Sequence, residues 1–80
     1  MPHYFFHIRD GNRFEPDEYG VELSGTEAVR EEALMTVGRM VQDATLAGRD
    51  AFDWTFEVVD EAGAPVLYLS CNIVIEDVPR

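Results

Sequence analysis

The feature that most constrains this chain is a single helix-patterned segment, Ser24 to Gly48, set between β-prone runs in only 80 residues. Val29, Ala33, Val37, Met40 and Ala44 recur at helical spacing and form one apolar stripe, which Leu34 and Val41 widen. Ser24 and Glu27 have the S-x-x-E spacing of a capping box, in which the hydroxyl accepts a backbone N–H and the carboxylate reaches back to the cap. Glu27, Glu31 and Glu32 crowd the first turns, where the helix dipole favours acid. Gly48 stands where a left-handed residue closes a helix, and Arg49 lies near the negative helix end. Gly38, mid-helix, costs about 0.5–1 kcal/mol relative to alanine, which implies that another backbone packs closely there.

The flanking segments read as strands. Residues 3–9 are dense in aromatics, with Tyr4, Phe6 and Ile8 on one face and His3, Phe5 and His7 on the other. Asp10-Gly11-Asn12 is a turn, after which a short strand begins near Arg13-Phe14. Pro16 to Gly20 form a polar loop, with Gly20 suited to positive φ, and Val21-Glu22-Leu23 can pair briefly as an edge. Residues 54–60 alternate, placing Trp54, Phe56 and Val58 inward and Thr55 and Glu57 outward. Glu61 to Ala64 make a hairpin turn into a long β-prone run, 66–75. In that run Leu67, Leu69, Cys71, Ile73 and Ile75 share one face, and Val66, Tyr68, Ser70, Asn72 and Val74 the other.

These elements specify one α+β domain over residues 1–80: a four-stranded, mostly antiparallel sheet with one long helix on one face, in the order ββαββ. A right-handed crossover is expected wherever the second and third strands lie parallel. One helix covers one sheet face only. The opposite face is left with some of Phe5, His7, Tyr68 and Val74, depending on register. A partly apolar open face, or a long open edge near 66–75, is a pairing surface, so a homodimer is expected. A chain of this size buries only about 60% of its unfolded surface, and pairing compensates for a thin core.

Charge narrows the function. Sixteen acidic residues face six arginines and no lysine, for a formal net charge of −10. Direct nucleic-acid binding is disfavoured, because phosphate contact needs clustered Lys and Arg, and the arginines are scattered. Anionic membrane surfaces are disfavoured for the same reason, and no apolar run approaches the roughly 20 residues of a membrane helix. A basic protein partner suits the charge, which also serves solubility. One cysteine and no basic, apolar leader point to a cytoplasmic, reducing setting.

No catalytic or metal constellation emerges, and no cofactor is expected. His3 and His7 on a strand lie about 13 Å apart at roughly 3.3 Å per residue, too far to share one zinc ion at about 2.1 Å from each. Asp10-x-Asn12 begins like a calcium loop, but Phe14, Glu15 and Val21 occupy the positions of an oxygen ligand, the turn glycine and the bidentate glutamate. The acidic pairs Asp17-Glu18, Glu31-Glu32, Asp60-Glu61 and Glu76-Asp77 read as solvated surface, since acid–base chemistry needs a carboxyl shifted in a cleft. Cys71 lies among Leu69 and Ile73 and reads as a small buried apolar residue. The chain is expected not to be an enzyme, with a small metal-binding or hydrolytic protein as an alternative.

Tyr4-Phe5-Phe6-His7-Ile8-Arg9-Asp10-Gly11 and Pro16-Asp17-Glu18-x-Gly20-Val21-Glu22-Leu23, with Glu27-Ala28-x-Arg30-x-Glu32-Ala33-Leu34 and Phe56-Glu57-Val58-x-Asp60-Glu61-x-Gly63, resemble a family of small acidic bacterial proteins of uncharacterised function. The chain departs from that pattern at Gly25-Thr26 and in the stretch Asn72–Pro79. The resemblance implies no activity and no functional residue. A second resemblance is topological: strands, an acidic loop ending in glycine, a Glu/Ala-rich helix and a strand look like HicB-type antitoxins, which implies a small, basic ribonuclease as partner. The residues expected to meet a partner are Asp10, Asp17, Glu18, Phe5, His7 and Tyr68.

Overall fold

The structure, a computed structural model, describes residues 1–79. The chain forms β1 (His3–Asp10), β2 (Arg13–Glu15), β3 (Val21–Glu22), α1 (Thr26–Leu46), β4 (Ala51–Asp60) and β5 (Pro65–Val74). Every strand pair is antiparallel, and the sheet runs β2-β1-β4-β5. β3 pairs with the N-terminal end of β1 and β2 with its C-terminal end, so the two short strands share one edge of β1. The expected α+β class and element order hold, and the Val21–Leu23 edge is present as a two-residue strand. β2 and β3 flank β1 on one side and β4 on the other, all running opposite to it. The helix therefore carries the chain across β1 between strands of like direction.

The core lies between the helix and one sheet face. Phe52, Trp54, Phe56 and Val58 alternate along β4 and are buried against Val29, Ala33 and Ala44 of α1. Phe6 and Ile8 from β1, and Leu67, Leu69, Cys71 and Ile73 from β5, complete the packing. No charged or polar residue is buried among the described residues. β4 begins at Ala51, three residues before its expected start, because the helix ends in a tight turn that feeds straight into the strand. Gly48 adopts φ +80, its N–H donates to Thr45 O and the Arg49 N–H donates to Ala44 O, both at 3.0 Å. This pair of bonds is the Schellman closure that Gly48 was expected to make. Arg49 then lies over the Phe52 and Trp54 rings, 5.4 and 5.7 Å from their centroids.

Four expectations need correction. The helix N-cap is Gly25, with no side-chain hydrogen bond, and not Ser24. The Leu23 N–H donates to Pro2 O at 3.0 Å and Leu23 packs on the Tyr4–Val29–Val58 cluster, which keeps the chain extended past Ser24 and displaces the capping-box register by one residue. Gly38 touches no neighbouring backbone, since an added Cβ would meet nothing within 4 Å. Leu34 is 52% exposed and flanks the buried stripe without widening it. Val66 leaves the Tyr68 face: the register passes from Val59↔Pro65 to Val58↔Leu67, so Val66 is the extra residue of a bulge and packs against the Tyr4–Val29–Val58 cluster.

Candidate functional site

The sheet face away from the helix is fixed by register. Phe5 stands opposite Val59, His7 opposite Glu57, and Arg9 opposite Thr55. Glu57 in turn faces Tyr68, and Thr55 faces Ser70. Glu57 therefore occupies the middle of the open face, with an imidazole on one side and a phenol ring on the other. The open face is partly apolar, as expected: Phe5 and Val59 lie toward one end, Val74 toward the other, and Thr55, Glu57, Ser70 and Asn72 lie between. Tyr68 is 64% exposed, whereas His7 and Glu57 are half-buried. Phe14 stands opposite Arg9, and its ring lies 5.1 Å below the guanidinium and 5.8 Å from the His7 ring.

The Pro16–Gly20 loop is folded onto the rim of this face by Asp17. One carboxylate oxygen accepts the Phe6 N–H at 3.0 Å, and the other accepts the N–H groups of Tyr19 at 3.1 Å and Gly20 at 3.0 Å. The Asp17 N–H donates to His7 Nδ1 at 3.0 Å, which places the proton of the neutral ring on Nε2. Partial burial opposes ionisation of Asp17. The backbone donors of Gly20, Phe6 and Tyr19, with the nearby His7, outweigh it and hold the carboxyl below its ordinary range. Gly20 takes φ +67, as its place in the loop suggests, and a Cβ there would sit 2.7 Å from the His3 ring and from Tyr4 O. His3 Nε2 donates to Tyr19 O at 2.8 Å. Each histidine thus has its own loop partner.

The six residues expected to meet a partner divide into three groups. Phe5, His7 and Tyr68 share the open face. Asp17 adjoins it, but its oxygens are taken up by the loop backbone, while Glu18 is exposed at the loop tip. Asp10 does not join them. It shares strand parity with Tyr4, Phe6 and Ile8, so it lies on the helix side, where its carboxylate is 3.7 Å from Arg49 at the helix C-terminal end. Glu57 belongs to the face and escaped the sequence reading. The signal available was its outward position on β4, but only the register places it between His7 and Tyr68.

Among the described residues, no group of three His, Cys, Asp or Glu side chains converges as a metal site. Cys71 is half-buried and packs against the Phe52–Trp54–Phe56 cluster. No helix among the described residues is long and apolar enough to cross a membrane. No curated protein and no solved structure matches the chain, and neither comparison supports a likeness to HicB-type antitoxins. A family described as Domain of unknown function (DUF6894) matches residues 3–72, nearly the whole chain, and the chain belongs to that family.

Proposed function

We propose that this domain is a non-enzymatic protein-binding module that docks a basic protein partner on its open sheet face. The observation that carries the reading is the position of Glu57, a carboxylate set between His7 and the exposed Tyr68 ring. A carboxylate beside an aromatic face suits an arginine, whose planar fork takes a charge-assisted hydrogen bond while its guanidinium stacks on the ring. The wider surface supplies steering. Only Glu15, Glu32 and Asp10 share an ion pair with an arginine among the described residues, out of sixteen acidic side chains in the chain. The remaining field attracts a cation and speeds encounter. In its sharpest form the role is antitoxin-like, with a small basic enzyme as the partner.

Titration of the full chain with an arginine-rich peptide at low and high salt tests this reading. Binding is expected at low salt, weakening as salt rises, and Glu57→Gln is expected to reduce affinity about tenfold, the equivalent of roughly 1.4 kcal/mol. Absence of binding at low salt, or equal affinity in Glu57→Gln, would overturn it.

A further inference from the structure

We infer that two copies of this chain pair through the outer edge of β5, joining their sheets into one continuous sheet. This inference does not rest on the docking of a basic partner: it uses the backbone edge of β5, and Tyr68 is the residue the two surfaces share. β5 ends the sheet and, among the described residues, pairs only with β4. It is ten residues long, and it is the only described strand without a charged side chain. No charge occurs from Ala62 to Ile75. Natural edges of this length are normally blunted by charge, proline or a bulge. Here the proline and the bulge both lie at the first residues, Pro65 and Val66, and the rest is bare.

A partner carrying the same net charge of −10 is repelled least where the seam presents no acid, and β5 itself has none, while the groove beside it carries the cation Arg30. The accessible surface also exceeds what a compact monomer needs. It is 5795 Å², roughly 900 Å² more than the approximately 4,900 Å² of a compact 9.1 kDa protein. A standard interface buries about 800 Å² per partner. The radius of gyration is 14.4 Å, against about 12 Å for a compact chain of this length.

Strand geometry selects the register. The Ile75 N–H donates inward to Asp50 O at 2.8 Å. By alternation, Leu67, Leu69, Cys71 and Ile73 also turn their backbone groups toward β4, and Tyr68, Ser70, Asn72 and Val74 turn theirs outward. An antiparallel pairing that uses all four outward residues has its two-fold axis at Cys71. Tyr68 then meets the partner's Val74, and Ser70 meets the partner's Asn72. On the helix side Leu69 meets the partner's Ile73, and Leu67 the partner's Ile75. That row runs beside a groove of about 230 Å³ lined by Arg30, Leu34, Leu67, Tyr68 and Leu69. Leu34 and Ile75, 52% and 49% exposed in the single chain, lose water there.

Sedimentation of the full chain tests the pairing. The unmodified protein is expected at twice 9.1 kDa. Ser70→Pro removes an outward N–H and spares the β4 ladder, so it is expected to keep its far-ultraviolet circular dichroism and sediment as a monomer. Ser70→Glu combined with Asn72→Glu, which sets carboxylates directly opposite each other across the seam, is expected to do the same without a proline. A wild-type monomer at every concentration would overturn the inference, as would a folded double-glutamate variant that remains dimeric.

Discussion

Asp17 shows how one acidic residue of a strongly acidic chain serves the chain's own fold. Its carboxylate gathers three backbone N–H groups, from Phe6, Tyr19 and Gly20, and its own N–H ties the loop to His7. Asp17→Asn replaces an acceptor oxygen with a donor, so at least one of these N–H groups loses its partner. The loss is expected to be about 1–3 kcal/mol, read by chemical denaturation. Because the Asp17 carboxyl is held below its ordinary range, its stabilisation is complete above the ordinary carboxylate range of about 4 and is lost as pH falls through the lower folded-state value. The stability gap between wild type and Asp17→Asn is therefore expected at neutral pH and to narrow in acid. A gap unchanged down to the acid unfolding limb would contradict this. Gly20 belongs to the same device. Its positive φ alone makes Gly20→Ala cost about 1–2 kcal/mol, and the close approach of His3 and Tyr4 O adds to that. The Asp17-x-x-Gly20 spacing was readable in the sequence, but its physical role was not, since the anchoring donor, the Phe6 N–H, lies on another element.

At the scale of the elements, local pattern and tertiary contact divide the work. The helix stripe, the β4 alternation and the Gly48 closure were legible because each depends on period or on one residue's backbone freedom. The N-terminus of α1 was not, because the tie between Leu23 and Pro2 decides where the helix starts. Ser24→Ala is accordingly expected to change stability by less than a few tenths of a kcal/mol, where a working cap loses typically about 1 kcal/mol. A loss of that size, by thermal or chemical denaturation, would restore Ser24 as the cap. Gly38 lies in open space on an exposed helix face, so Gly38→Ala is expected to stabilise by about 0.5–1 kcal/mol. The bulge at Val66 and the central place of Glu57 follow from register, which depends on pairings between distant segments that no local pattern encodes.

The whole molecule is a thin layer: one helix on one sheet face, a core without a buried charge among the described residues, and acids on the outside. With so small a core, Phe56→Ala, at a fully buried position, is expected to cost about 3–5 kcal/mol, a large part of a small domain's stability. The net charge of −10 leaves the β5 edge as the long uncharged side, and the proposed pairing there would extend the sheet while its second face stays open. The most direct measurement is residue-resolved amide hydrogen exchange across a concentration series. Pairing predicts that the outward amides of Tyr68, Ser70, Asn72 and Val74 gain protection as concentration rises, while those of Leu69 and Cys71 are protected throughout by β4. Fast exchange at the four outward amides at every concentration would contradict it.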